Sequence, residues 1–339
     1  MPVEIAQFTP HTYTGSLPIA RINPRTGKME IRVNNGFPLL MTERGLMVNS
    51  LLRTAEWRLL ETEVQMAAGI RLTAVAQLQS RGLVRPVSSL GTLVTEWGRV
   101  GEMTQADISM TGQANGEVDR LEYDITGVPI PIVFKEFRIP KRQLEAARLA
   151  GNALDTTHAA AASRVVAEKL EDMLINGDST VFDSRHIYGY TNEPNRNQVV
   201  AAGDWGTISN ILPTVSAAIA ALVAEHYYGP YTLYLDTNQY TEATTSFYSD
   251  GSGESAYDRI LRIPQITAVL PVDSLDDGEG VLAQLTSDVV DWAQHMDITL
   301  VEWLSGDGMM GFFKVMAVAA PRIKSDKSSQ SGVAHITGM

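Results

Sequence analysis

The sequence predicts an α+β fold with a mixed sheet, in a chain of 339 residues that is long enough for two or three lobes. In the second half of the chain, short strand-like runs alternate with amphipathic helical segments. A long alanine-rich helix is predicted over 156–176. Residues 1–40 and 87–127 have too few apolar side chains to fold alone, so we expect both stretches to lie against another surface.

The first 40 residues contain five prolines, which predicts an extended segment with little helix. The run IARINPRTGKMEIRVN is typical of a hairpin that turns at Pro24–Gly27. A helical pattern is predicted to begin near Thr42, which is placed to cap it, and a second helix is predicted over 72–79.

The pattern of residues 86–127 predicts a long loop of two antiparallel strands. One strand includes Leu93 and Val100, and the returning strand includes Tyr123 and Ile125 in period two. A strand in VPIPIVFKEFRIP and a short helix in KRQLEAARLAGNALD come next. The long helix follows, with a cap at Asp155 or Thr156 and a stop at Asn176-Gly177.

The remaining elements are shorter. Helices are predicted over 207–225 and 255–263, and strands over 231–236, 266–272, 280–286, 298–303 and 311–323. The segment 325–339 is polar and is expected to be a mobile tail.

Composition excludes several classes of protein. The net charge of -12 argues against a protein whose whole surface grips nucleic acid. No apolar run approaches the about 18 residues of a membrane span, and the N-terminus does not resemble a secretory signal. Because cysteine is absent, disulfides and thiolate metal sites are excluded, which fits folding in a cytosol.

The chain shows no motif that predicts catalysis, a cofactor or a metal. Gly306-Asp-Gly308-Met-Met-Gly311 matches a dinucleotide pattern by letter, but a strand follows it, so a hairpin turn is predicted. The acidic run 273–279 lacks the spacing of a calcium loop and is interpreted as a solvated turn. An enzyme is therefore not predicted, although an unrecognised one stays a distant alternative.

Three linked motifs carry a resemblance to a known family: FKEFRIPKRQLEAARLAG, ASRVVAEKLEDMLINGD and GYTNEPN. Together they resemble the tailed-phage major capsid protein of the Hong Kong 97 fold, which encapsulin shells share. Glu171, Asp172 and Gly177 fit the acidic pair and glycine of the encapsulin pattern.

The resemblance implies a plan for nearly the whole chain. It comprises an N-terminal arm (1–45), an N-terminal helical segment (46–85), an extended loop (86–127), a peripheral domain (128–200 with 298–322) with spine helix 156–176, an axial domain (205–297) and a C-terminal tail (323–339).

The resemblance also implies a function: a structural bacteriophage head protein, not an enzyme, that assembles in the host cytoplasm into the icosahedral shell of the virion. Implied partners are many copies of itself in hexamers and pentamers, portal and scaffolding proteins, a cement protein, and DNA enclosed without sequence-specific binding. A proline-rich arm, a long loop and an extra tail favour a phage capsid, with an encapsulin shell as the alternative.

Two groups of residues are candidate contacts between subunits. Arg21, Arg25 and Arg32 belong to a net-positive segment, 1–60, which is either a solvated arm or an arm lying on an acidic neighbour. The apolar candidates in the extended loop are Trp97, Met103, Ile108 and Met110. The alternative for Trp97 is that it packs under its own loop.

Overall fold

The computed structural model describes the backbone of residues 19–22, 29–32, 38–42 and 45–48, and complete residues 52–101, 108, 110, 123–150, 154–249 and 253–339. The chain divides into two compact units. Unit 1 comprises Met1–Leu60, Glu136–Thr156 and Leu300–Lys314, and unit 2 comprises Glu61–Lys135, Thr157–Thr299 and Val315–Met339.

Helices and strands are interspersed along the described part of the chain. The helices are α1 (Thr54–Gly69), α2 (Ala74–Ser80), α3 (Lys141–Leu149), α4 (Thr157–Ile175), α5 (Ile211–Ala224), α6 (Thr237–Thr245) and α7 (Ala256–Leu261). The first eight strands are β1 (Ile19–Ile22), β2 (Met29–Arg32), β3 (Pro38–Thr42), β4 (Gly45–Val48), β5 (Val84–Pro86), β6 (Val94–Val100), β7 (Tyr123–Pro129) and β8 (Ile132–Pro140). The others are β9 (Asp178–Phe182), β10 (Arg185–Ile187), β11 (Asn197–Val200), β12 (Tyr231–Leu235), β13 (Ile266–Pro271), β14 (Glu279–Gln284), β15 (Val290–Leu304), β16 (Met310–Ile323) and β17 (Val333–Thr337).

The strands form separate sheets. The orders are β1-β2-β3-β4, β5-β15-β16-β8, β11-β17-β14-β12-β13, and the two-stranded pairs β6-β7 and β10-β9. Within unit 2, apolar residues of α5, α6 and α7 pack on the five-stranded sheet and form a fully buried core around Trp205, Leu222 and Leu233. Because β12 pairs in parallel with β13 and antiparallel with β14, this sheet is mixed, as the sequence predicts.

Several predicted elements are confirmed. The arm hairpin pairs Ile19 with Arg32, and the predicted long helix is α4, with 19 residues. The two predicted strands of the loop 86–127 are β6 and β7, paired antiparallel. The glycine-rich segment at 306–311 is the turn between β15 and β16, where Gly308 has φ +69.

The expectation of a helix beginning at Thr42 is wrong. Thr42 ends β3 and pairs with Gly45 at the start of β4, so this segment is a tight hairpin. Glycine is a poor helix former, and short apolar runs on both sides of the turn are better satisfied as paired strands. Among the described residues, the first helix begins at Thr54.

The expectation of a mobile tail over 325–339, predicted as part of the C-terminal tail 323–339, is also wrong. Strand β17 lies inside the five-stranded sheet, parallel to β11 and antiparallel to β14. Val333, Ala334 and Ile336 are completely buried there. The sequence alone underestimates this strand because its partners lie far away along the chain, and pairing with them provides both hydrogen bonds and burial.

Candidate assembly surface

Strands β6 and β7 form a two-stranded ribbon with two different faces. The register pairs Trp97 with Thr126 and Gly98 with Ile125. Because side chains alternate along a strand, Trp97 and Thr126 lie on one face, here called the inner face, while Ile125 lies on the outer face.

The inner face contacts Arg322, which belongs to the same unit as the ribbon. The Arg322 guanidinium carbon lies 5.4 Å from the centre of the Trp97 ring, and Arg322 Nη1 donates to Thr95 Oγ1 at 3.3 Å. Arg322 is buried and donates through Nε and Nη2 to both carboxylate oxygens of Asp291. Lys324 Nζ lies 2.8 Å from the same carboxylate, so the buried Asp291 is bracketed by two cations.

Two further ion pairs involve charged residues of the ribbon. Arg99 Nη2 lies 2.6 Å from Asp124 Oδ2 on the opposite strand, and this contact lowers the pKa of the Asp124 carboxyl. Arg185 of β10 donates to Glu96 and thereby ties the β9–β10 hairpin to the ribbon. These contacts restrain the ribbon within unit 2.

The outer face of the ribbon meets Arg185 at Glu96, but toward Val100 and Tyr123 it is apolar and exposed in the described part of the chain. Tyr123 is 70% exposed and Ile125 is 69% exposed, with Val100 opposite Tyr123. Farther along the loop, Ile108 and Met110 are 98% and 99% exposed. Exposed apolar side chains grouped on one strand face are characteristic of a contact surface.

The residues predicted as contacts are distributed over several environments. Ile108 and Met110 are exposed, whereas Trp97 is half-buried on the inner face. Arg21 and Arg32 lie on the paired strands β1 and β2. Arg25 and Met103 lie outside the described residues. Sequence reasoning missed Tyr123 and Ile125 as contact candidates, although their period-two spacing indicated that both lie on one face of a strand.

The motif GYTNEPN has a structural explanation, because it closes the C-terminal end of α4. Tyr190 N donates to Leu174 O at 3.0 Å, Thr191 N donates to Ile175 O at 2.9 Å, and Asn192 Nδ2 donates to Asn176 O at 2.6 Å. These bonds satisfy carbonyls that a helix end leaves without partners. The motif therefore fixes the end of the longest helix.

Glu171 links α4 to the start of α2. Its buried carboxylate accepts hydrogen bonds from the backbone N–H of Thr73 at 3.2 Å, Ala74 at 2.5 Å and Val75 at 3.2 Å. Burial raises the pKa of Glu171 to about 7, while these three donors act in the opposite direction. Asp172, the other member of the acidic pair, accepts from Lys169 and Asn176.

No group of three or more histidine or carboxylate side chains in the described part of the chain is placed to hold a metal ion. An open cleft of about 660 Å³ beside α4 is lined by mixed charges, among them Arg71, Lys169 and Asp273. Asp183, Ser184 and His186 lie along the β9–β10 hairpin, where Asp183 pairs with Arg185.

Among the described helices, none has the length and apolar character of a membrane span.

Comparison with known proteins places the chain in a family. The model of the "Family of unknown function (DUF6260)" matches residues 53–336. The Type 1 encapsulin shell protein EncA of Myxococcus xanthus is 26% identical over 285 residues, covering 80% of this chain and 90% of EncA. A diheme-cytochrome-encapsulin shell fusion protein of Kuenenia stuttgartiensis is 27% identical over 135 residues, and the match spans only 35% of that protein.

Solved structures are similar over most of the chain. A virus-like particle protein from Pyrococcus furiosus has a TM-score of 0.57 at 16% identity, covering 84% of this chain and 98% of that one. The capsid protein of the Myoviridae phage XM1 has a TM-score of 0.58 at 14% identity, covering 77% and 91%. The chain therefore belongs to the Family of unknown function (DUF6260), and it has the Hong Kong 97 fold found in phage capsids and encapsulin shells.

Proposed function

We propose that this protein is a structural shell protein that assembles into closed icosahedral particles, and that the shell is the head of a tailed phage. The observation that carries the proposal is the ribbon of β6 and β7. Its inner face is fastened by Arg322, while its outer face presents Tyr123 and Ile125 to solvent. Such a face is stabilised when a second copy covers it.

The proposed domain plan follows the sequence expectation with one change. Residues 1–45 form the arm, 46–85 the N-terminal segment, 86–127 the extended loop, 128–200 with 298–322 the peripheral domain, and 205–297 the axial domain. We now assign β17 to the axial domain, because it pairs with β14 in the same sheet.

The proposed partners are copies of the chain in hexamers and pentamers. Portal, scaffolding and cement proteins would complete the particle, and DNA would be enclosed without sequence-specific contacts. The net charge of -12 supports this view of DNA, because an acidic wall does not retain a polyanion.

An encapsulin shell is the second candidate, and one observation favours it: EncA is 26% identical over 80% of this chain. The two candidates differ in cargo. Particles isolated from the organism that carries the gene should contain nuclease-protected DNA if the chain is a phage capsid. Particles that hold a protein cargo and no protected DNA would favour the encapsulin.

Two variants test the contact surface: Tyr123→Ser alters the outer face of the ribbon, and Trp97→Ala alters its inner face. Tyr123→Ser should leave the subunit folded, because the side chain is 70% exposed, but should lower the melting temperature of assembled particles. Trp97→Ala should destabilise the subunit itself if Trp97 serves the inner face. If Tyr123→Ser particles form and melt like the parent, the outer face is not a contact surface. If Trp97→Ala subunits fold normally but their particles dissociate earlier, Trp97 is a contact between subunits as the sequence predicts.

A further inference from the structure

The chain divides its charge unevenly between its two units. Unit 1 carries 12 lysines and arginines against 9 acidic residues, a net charge of +3. Unit 2 carries 15 lysines and arginines against 30 acidic residues, a net charge of -15. A copy of this chain therefore presents a positively charged unit and a strongly negatively charged unit to its neighbours.

Unit 1 contains three exposed cations without an ionic partner in the described part of the chain: Arg138, Lys141 and Arg142, here called the basic patch. The carboxylates nearest to them in sequence are already engaged. Glu136 lies 2.8 Å from Lys314, and Glu145 lies 2.7 Å from Arg148. The patch therefore keeps its full positive charge.

The position of the basic patch is unfavourable for the isolated subunit. Lys141 and Arg142 occupy the first turn of α3, which contains no acidic residue, and Pro140 provides no side-chain cap. The N-terminal end of a helix is electropositive and is stabilised by acidic side chains. Lys141 and Arg142 do not stabilise the helix from this position. Contact with an anionic surface outside the subunit explains their presence better than a role in the stability of α3.

Unit 2 contains a group of carboxylates with the opposite property. Asp204, Glu242 and Asp277, here called the acidic cluster, have no lysine or arginine within ion-pair distance in the described part of the chain. Asp277 accepts only from Asn238 Nδ2 at 3.0 Å, and Asp204 from Gly206 N at 2.8 Å. Burial raises the pKa of Glu242, and the charges of Asp204 and Asp277 raise it further, so these carboxylates repel one another.

We propose that the basic patch of one copy docks on the acidic cluster of a second copy, as a head-to-tail contact of the shell. This inference rests on the proposed self-assembly and specifies which surfaces meet. The contact joins two different surfaces, as closed rings of subunits require. A second copy fits better than nucleic acid, because the charge of -15 on unit 2 opposes the approach of a polyanion.

The test is a charge exchange with a matched control. Arg142→Glu should raise the protein concentration needed for particle formation by about tenfold or more, because it replaces attraction by repulsion. The same change places an acid in the first turn of α3, so the subunit should fold at least as well as the parent. Arg85→Glu alters an exposed arginine that makes no ion pair in the described chain, and it should leave assembly unchanged. Circular dichroism and the melting temperature of unassembled subunits check the folding of every variant.

A second charge change that restores assembly identifies the surface on which the basic patch docks. Arg142→Glu combined with Asp277→Lys in one chain should bring the assembly concentration back to within about threefold of the parent, since every contact then carries the exchanged pair. If the Arg142→Glu variant assembles like the parent, the proposal is overturned. If it assembles like the parent but its particles hold less nucleic acid, the basic patch binds nucleic acid instead. Loss of assembly that Asp277→Lys does not restore also overturns the proposal. The proposed function fails separately, only if the parent chain itself forms no particles.

Discussion

At the scale of single residues, Arg322 and Asp291 form a buried ion pair against the inner face of the ribbon. Asp291→Asn leaves the guanidinium of Arg322 buried without a counter-charge, which costs about 3–5 kcal/mol of the free energy of unfolding. Arg322→Met should cost less, because Lys324 still lies 2.8 Å from Asp291. Urea unfolding of unassembled subunits measures both changes.

The control for this prediction is Arg99→Met, which removes a partly exposed pair on the same ribbon and should cost less than about 1 kcal/mol. Equal losses for Asp291→Asn and Arg99→Met would contradict the assignment of Asp291 as the buried counter-charge.

Glu171 predicts a pH dependence of stability. Burial raises its pKa from the usual 4.5 to about 7, so between pH 4.5 and 7 the folded subunit binds more protons than the unfolded chain. The free energy of unfolding should therefore fall as the pH rises through this window. Glu171→Gln does not titrate and should remove a change on the order of 3 kcal/mol.

Urea unfolding of unassembled subunits at pH 5 and pH 8 tests this prediction. The exposed Glu168 on the same helix provides the control variant Glu168→Gln, which should keep the pH dependence of the parent. If Glu171→Gln also keeps it, Glu171 is not the group responsible.

At the scale of elements, the C-terminal end of α4 requires glycine at positions 177 and 189, where the two backbone segments lie in close contact. A Cβ on Gly189 would lie 2.3 Å from Gly177 N, and a Cβ on Gly177 would lie 2.5 Å from Ile187 O. Backbone atoms cannot yield as a flexible side chain would, so Gly189→Ala should cost about 2–4 kcal/mol. Gly306→Ala is the control: its Cβ would meet nothing within 4 Å, so it should change stability by less than about 0.5 kcal/mol. Equal melting temperatures of the two variants in thermal unfolding would contradict the close contact between the backbones at Gly177 and Gly189.

The elements that the sequence predicts well are those whose local signals agree with their surroundings. Helix α4 has alanines, an apolar stripe and a glycine with φ +72 after its end, so propensity, periodicity and stop signal coincide. Helix α6 was missed because TNQYTEATT is rich in threonine, a weak helix former. It forms because Asp236 caps it, accepting from Asn238 N at 3.0 Å, and because Ala243 is buried.

The candidate assembly surface was only partly predictable for a related reason. The ribbon strands could be read from alternation, but the face that each side chain occupies depends on the register of β6 and β7. Trp97 is a large apolar residue in a polar stretch, which predicts a contact with a neighbour. Its half-buried position beside Arg322 could not be read from the sequence, because Arg322 lies 225 positions later in the chain.

At the scale of the whole molecule, the proposed shell should be held together without covalent crosslinks. Residues 86–134 contain no lysine, and the chain contains no cysteine, so the extended loop offers neither an amine nor a thiol for a bond to a neighbour. Denaturing electrophoresis of intact particles should show one band near 37.0 kDa. A ladder of multimers would contradict this prediction.

Self-assembly is tested directly by the particle size of the purified chain. Purified chain is examined by size-exclusion chromatography with light scattering, and the leading peak is imaged by negative-stain electron microscopy. We expect closed particles of uniform diameter that contain many copies of the chain. A folded 37.0 kDa monomer that persists at every concentration and salt condition would contradict it.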